Sequence, residues 1–387
     1  MRGLLVFFHC HANTGYAIST LEKAFFRAAE TACNGDWSRI HFAYTNLDHG
    51  WPKTLPEGFR NVIAFDPLGT DGTAIIDYLR KHDIDTAFGF DQPVQRPVYR
   101  HLRAGGIRRF ISYWGAPMSS INRGPKLWLK RLECALRRDG PDHYIFESAG
   151  MAHSATHGRG IAARKVSVTY LGVDTDRFAP NAADLDYAYT TFGIPRQRRI
   201  IFFSGHMEQR KGVHILIGAI RELVQQGRED AHLLILGNKN GEERRFEPLL
   251  DGAHREYITF GGYRDDVARL HRSCYAGAIG STGWDSLTCS AIEMSASGLP
   301  LLVSDLPGLE ETVVDGETGF TFPRSDASAL ARLMARLLDA PDQAAALGAA
   351  ARRRALAEFS LDRQQQRLVA VLRSADNDFA SLRGDQC

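Results

Sequence analysis

Gly280-Ser-Thr-Gly-Trp-Asp285-Ser-Leu-Thr-Cys-Ser290-Ala-Ile-Glu293-Met-Ser-Ala-Ser-Gly298-Leu-Pro300 reads as a strand end, a polar loop, a helix and a stop. Gly298 and Pro300 supply the helix-stop chemistry, and an apolar strand follows at 299–304. The helix start leaves backbone N–H groups unpaired and carries partial positive charge, which suits a phosphate. Asp285 and Glu293 are eight residues apart, up to ~12 Å of rise if helical throughout. Two acceptors at that separation suit the ends of a long ligand whose phosphates lie between them. The plain alternative makes Asp285 a helix cap and Glu293 an ordinary helical residue.

The same grammar occurs upstream. Phe203-Ser204-Gly205-His206-Met207-Glu208-Gln209-Arg210-Lys211-Gly212-Val213 leaves a strand at 199–203, passes two adjacent cations and enters an apolar helix. Above a sheet edge, Arg210 and Lys211 suit a diphosphate. As a leaving group its growing charge would be stabilised most in the transition state. A solvated basic loop is the plain alternative here.

Outward from these two segments, strands and helices alternate along the whole chain, which predicts parallel sheets. Apolar runs at 4–8, 40–44, 62–65, 86–90, 109–113, 143–146 and 166–170 read as strands. Helical patterns lie at 17–31, 72–82, 95–104 and 126–138. Residues 171–197 turn loop-like, with Pro180, Gly193 and Pro195. Strands then resume at 199–203, 232–236, 257–260, 277–280 and 299–304. The helices of this half lie at 211–226, 265–273 and 289–297, with an Ala/Leu/Arg-rich helical stretch over 326–374. The expected class is α/β, two doubly wound Rossmann-like domains facing across a cleft, with ligands beyond the carboxyl ends of the strands. Boundaries are expected at 1–173 for the first domain, 174–197 for a linker and 198–356 for the second domain. Residues 357–387 are expected as a helix packing back on the first domain, then a frayed tail over 375–387.

The 387 residues, 44% hydrophobic and 24% charged, exclude wholesale disorder and collagen-like repeats. The six scattered cysteines form no Cys-x-x-Cys pair, which argues against a disulfide or zinc scaffold. No apolar run approaches the ~18 residues of a spanning helix, and the run at 4–8 is too short for a signal peptide. A cytoplasmic chain is the expectation. The net charge of +2 conceals an asymmetry. Residues 1–170 carry 22 Lys and Arg against 15 Asp and Glu, whereas residues 171–387 carry 25 against 30. Arg96, Arg100 and Arg103 are spaced for one helical face. Lys126, Lys130, Arg131, Arg137 and Arg138 surround Leu127, Trp128, Leu129, Leu132 and Leu136 on a short basic helix. That mixture suits an anionic membrane face or a phosphorylated acceptor. The bland alternative is a core-facing apolar stripe with a solvated basic back. Nucleic acid is not expected, because the aromatics do not interleave with the charges as stacking platforms.

Taken together, in this order and spacing, the two segments resemble the GT-B glycosyltransferases of the retaining family 4 type. That family carries a Gly-Arg-x4-Lys-Gly loop, a Glu-x7-Glu element with a small-Gly-x-Pro turn, and a Gly-rich segment matched here by Ser304 to Gly319. The resemblance covers roughly 199–323, and Leu171 to Phe178 looks like the family's interdomain segment. It implies sugar transfer from a nucleotide-diphosphate donor, UDP or GDP, to a glycan or lipid-linked hydroxyl in polysaccharide or lipopolysaccharide assembly. Retention at the anomeric carbon and no essential metal are implied as well. Lys211 matches the diphosphate-binding Lys, and Glu293 the Glu that holds the ribose hydroxyls. Asp285 stands at the first Glu, which holds donor-sugar hydroxyls, beside the backbone of Ser286, Leu287 and Thr288. Tyr263 and Arg264, after Gly262, match the turn against the base. Gly15, in His11-Ala-Asn13-Thr-Gly15-Tyr16, resembles the glycine loop that approaches the donor phosphates. After Gly205 the family's Arg is His206 here, whose charge is not permanent, so Arg210 is expected to take over a phosphate contact.

Asp285, Lys211 and Arg210 are thus the expected catalytic groups. Asp91, Trp114 and Asn13 are expected on the acceptor side, although Asp91 also suits a loop cap before Gln92-Pro93. His9, Cys10 and His11, like His153 and His157, do not make a metal site by spacing: Cys10 alternates away from its neighbours, and Ser154 stands where a zinc hydrolase needs Glu. Two other functions remain open, a nucleotide-sugar or glycan-binding subunit without turnover and a nucleotide-sugar epimerase.

Overall fold

The computed structural model describes residues 1–68 and 72–374, and the tail expected over 375–387 lies outside them. It divides into two compact units, one of Met1–Tyr170 with the chain from Asp362 onward, the other of Leu171–Leu361.

The first unit is built on seven strands: β1 (Leu4–Phe7), β2 (Ile40–Tyr44), β3 (Val62–Ala64), β4 (Thr86–Phe90), β5 (Arg109–Trp114), β6 (His143–Phe146) and β7 (Val166–Val168). They pair in parallel in the order β3-β2-β1-β4-β5-β6-β7. Every residue of β1, β2, β4 and β6 is buried, as both faces of a parallel sheet are covered. Phe8, Phe25, Phe42 and Tyr44 stack on one face. Ile75, Leu79 and Leu102, from helices Thr73–Lys81 and Tyr99–Ala104, pack against Phe110 in another cluster.

The second unit repeats the plan with β8 (Arg199–Ser204), β9 (Ala231–Leu236), β10 (Ile258–Phe260), β11 (Ala276–Ile279), β12 (Leu301–Ser304) and β13 (Gly319–Phe322). The order is β10-β9-β8-β11-β12-β13, all parallel. The short β13 starts at Gly319, where the Gly-rich segment ends, and has no run long enough to announce it.

Two expectations change, one resolves into its parts and one alternative falls. Residues 174–197 are not a free linker: Asp184 accepts from Arg269 at 3.0 Å and Arg272 at 2.6 Å, and Ala188 sits in an apolar cluster of the second unit. The stretch 326–374 resolves into helices Ala327–Asp339, Pro341–Glu358 and Leu361–Arg373. The last of these lies on the first unit, where Arg109 donates to the Val371 and Leu372 carbonyls at 2.8 and 3.0 Å. Arg96 precedes its helix, which starts only at Tyr99, after Pro97, and Arg103 is engaged by Asp142 at 3.0 Å and the Gly140 carbonyl at 2.7 Å. Finally, helix Gly124–Leu136 has no buried residue, and its exposed Trp128, Leu129, Leu132 and Leu136 face no core.

Candidate functional site

In the second unit the strand order reverses between β8 and β11, and the loops leaving their carboxyl ends meet there. They touch at backbone level. The Thr282 N–H donates to the Arg210 carbonyl at 2.7 Å. Gly212 has φ +70°, and a Cβ there would stand 1.7 Å from the Gly280 carbonyl oxygen. Only glycine meets both demands.

This contact brings Lys211 onto Asp285. The Lys211 Nζ lies 2.9 and 2.8 Å from Oδ1 and Oδ2 of the carboxylate. The Ser281 hydroxyl donates to Oδ2 at 2.7 Å and the Ser286 N–H to Oδ1 at 3.2 Å. Asp285 is 6% exposed, so these donors stand in for the water it has lost. The helix Cys289–Ala296 is capped by Thr288, whose Oγ1 accepts from the Ala291 N–H at 3.3 Å. Asp285 is therefore no cap. It precedes the helix, so its separation from Glu293 is not a helical rise. Glu293 lies half-buried on that helix, and burial pushes its carboxyl up to about 7 against the pull of Arg177. Leu287 is buried, so its side chain is not open to a ligand.

Arg210 is engaged otherwise than expected. Its Nε donates to Glu208 at 2.6 Å, its Nη1 to the Trp284 carbonyl at 3.0 Å, and its guanidinium lies 4.3 Å over the Trp284 ring. It clasps the two loops together. His206 is exposed on the first of them, after Gly205, whose N–H donates to the Leu236 carbonyl at 3.1 Å. Beyond β10, the Gly262 N–H donates to Asn238 at 2.9 Å, Lys239 lies 3.6 Å over the exposed Tyr263 ring, and Arg264 grips Asp266 at 2.8 Å.

In the first unit the reversal falls between β1 and β4. Gly15 caps helix Tyr16–Ala32 with φ +152°, and nothing lies within 4 Å of a Cβ built there. Asn13 serves its own loop: its amide donates to the His49 and Trp51 carbonyls at 3.1 Å and accepts the Lys53 N–H at 3.0 Å. Trp114 donates to the Gln92 carbonyl at 3.2 Å and stacks on Phe146. Asp91, with φ +51°, accepts the Gly115 N–H at 2.9 Å, and a Cβ on Gly115 would stand 3.5 Å from Glu147 Oε1. Two carboxyls therefore flank one glycine at the strand ends. Glu147 escaped the sequence analysis, although its place directly after an apolar strand is the signal that drew attention to Asp91. His153 and His157 stack at 4.1 Å, and among the described residues no three His, Cys, Asp or Glu side chains group as metal ligands.

Burial, then the Asp91 charge, pushes the Glu147 carboxyl up to about 8 against a hydrogen bond with Tyr113. Burial likewise raises Asp91, opposed by the Gly115 amide and His9. A carboxyl raised on folding contributes stability that is full below its unfolded pKa and is lost as pH rises through the folded one. Glu147→Gln removes that loss. The variant is expected to melt like the parent at pH 4.5 and several degrees higher at pH 8.5, about 1–3 kcal/mol. A melting difference that ignores pH would refute this.

Comparison with known proteins fits this site. Residues 190–354 match the family model for glycosyl transferases group 1. A phosphatidyl-myo-inositol mannosyltransferase of Mycobacterium leprae is 31% identical over 182 residues, 46% of this chain and 47% of its own. The chain therefore spans about half the length of this curated relative. A GDP-mannose-dependent alpha-(1-6)-phosphatidylinositol monomannoside mannosyltransferase of Mycobacterium tuberculosis is 28% identical over 314 residues, 77% of this chain and 78% of its own. Among solved structures, Anabaena HepE in complex with UDP has TM-score 0.72 at 18% identity, covering 96% of this chain and all of that one. A glycosyltransferase from Rickettsia africae reaches TM-score 0.75 at 17% identity, with full coverage of both chains. The chain thus has the GT-B fold, and residues 190–354 of its second unit are similar to the glycosyl transferases group 1.

Proposed function

We propose that the second unit binds a nucleotide-diphosphate sugar and that the chain transfers the sugar to a hydroxyl of a glycan or lipid-linked acceptor. The observation that carries this is Lys211, a cation held on a nearly buried carboxylate where the strand order reverses. A diphosphate is the anion such a place suits, since ammonium and helix-start N–H groups both favour it. On its arrival Lys211 is shared between Asp285 and the phosphates, which frees carboxylate capacity for a donor-sugar hydroxyl. Glu293 accepts from the ribose hydroxyls. With its carboxyl pushed up to about 7, its acceptor strength grows as pH rises through neutrality. The Tyr263–Arg264 turn lies against the base, and His206 adds a phosphate contact.

The bond between the anomeric carbon and the phosphate oxygen breaks as the acceptor oxygen bonds to that carbon, and the acceptor proton passes to the leaving phosphate. Lys211 stabilises the charge that grows there. Attack on the face the phosphate leaves retains the anomeric configuration. UDP or GDP is the donor nucleotide: the Anabaena neighbour is held with UDP, and the Mycobacterium tuberculosis relative is GDP-mannose-dependent. Asp91 and Trp114, at the strand ends of the first unit, are assigned to the acceptor.

Thermal unfolding with UDP, GDP, ADP, dTDP and their sugars, with and without EDTA, tests the donor site. One nucleotide and its sugar are expected to raise the melting temperature by several degrees, unchanged by EDTA, since saturation at a hundredfold the Kd adds about 2.7 kcal/mol. No shift with any nucleotide would overturn the proposal. A shift without transfer to any acceptor would assign the binding-subunit function instead.

A further inference from the structure

The helix Gly124–Leu136 sits on the first unit the wrong way round for a globular protein. Leu127, Lys130, Glu133 and Cys134, spaced by three and four, are half-buried and form its seat. That seat is polar. Glu133 pairs with Arg159 at 2.9 Å and with Lys130 at 3.2 Å, and the Cys134 thiol donates to the Arg159 carbonyl at 3.3 Å. Gly160, φ +85°, lets the chain press against the helix backbone, where a Cβ would stand 2.6 Å from the Arg131 nitrogen. On the opposite face Trp128, Leu129, Leu132 and Leu136 are 62%, 58%, 44% and 72% exposed. Exposed Arg123, Lys126, Arg131, Arg137 and Arg138 surround this stripe, and none of them has an ion-pair partner among the described residues.

An apolar stripe turned outward and ringed by unpaired cations matches a surface that is apolar below and anionic above. We propose that this helix docks the protein on the face of an anionic lipid bilayer, with Trp128, Leu132 and Leu136 entering the acyl boundary and the five cations held by headgroup phosphates. No helix of the described residues is long and apolar enough to span a membrane, so the contact is peripheral. The proposal does not rest on sugar transfer.

Flotation of the full chain with phosphatidylcholine vesicles, and with phosphatidylcholine mixed with phosphatidylglycerol, tests it. Binding is expected only to the anionic vesicles, weakening as salt is raised. Each of Lys126→Gln, Arg131→Gln and Arg137→Gln should lower partitioning about fivefold. Trp128→Ser combined with Leu132→Ser and Leu136→Ser should abolish it with an unchanged melting temperature, because these side chains support no core. Equal binding to both vesicles, no binding to either, or full binding by the triple variant would overturn the proposal. So would a solution dimer, seen by light scattering and lost in the triple variant, which would give the stripe to a second copy of the chain.

Discussion

Lys211→Ala is expected to lower donor turnover about 100- to 1,000-fold, the loss typical of removing one group that meets charge developing in the transition state. It is also expected to destabilise the second unit. Asp285 would keep the Ser281 hydroxyl and the Ser286 N–H but lose the ammonium that spans both its oxygens. Removing one partner of a buried pair typically takes about 3–5 kcal/mol, and the residual exposure of Lys211 places this one at the low end. Lys211→Ala with Asp285→Asn separates the two effects, since the double variant leaves no bare carboxylate. It should recover much of the melting temperature and none of the turnover. Turnover that survives Lys211→Ala within threefold, in folded protein, would remove Lys211 from the chemistry.

Gly212→Ala should be among the most damaging single substitutions in the second unit. The added Cβ meets main chain, the Gly280 carbonyl, rather than the yielding end of a side chain, and the backbone there is left-handed. A loss of about 4 kcal/mol or more in urea unfolding is expected. Nucleotide binding should go with it, because the β8 and β11 loops can no longer meet. Gly227→Ala is the control. Its φ is +78° but nothing lies within 4 Å of the added Cβ, so only the backbone strain of about 1–2 kcal/mol remains. Equal losses in the two variants would show that the loops are not pressed together as described.

The strands around the site were legible because each is a short apolar run closed by glycine or polar residues, and parallel strands buried on both faces leave that signature. The β8 and β11 loops were legible for the same reason, since a cation pair or an Asp-x7-Glu spacing directly after such a run falls at a sheet's carboxyl edge. What joins the loops was not legible. Lys211 and Asp285 are 74 residues apart, and their ion pair exists only because Gly212 and Gly280 allow the chain segments to touch. Arg210 shows the same limit: adjacency to Lys211 suggested a shared phosphate duty, whereas Trp284 and Glu208 hold it. The basic helix shows it in reverse. Periodicity reveals that Trp128, Leu132 and Leu136 share a face, but only the polar seat at Glu133 and Arg159 decides which way that face turns.

Hydrogen exchange of the whole chain, with and without the nucleotide sugar that stabilises it, tests the donor site most directly. Slowed exchange is expected in 205–212, 262–264 and 281–293, the two loops, the base turn and the Glu293 helix, with β10 and β13 unchanged. Protection that leaves all three segments untouched, or a nucleotide sugar that protects nothing at saturating concentration, would contradict a donor site built on Lys211, Asp285 and Glu293.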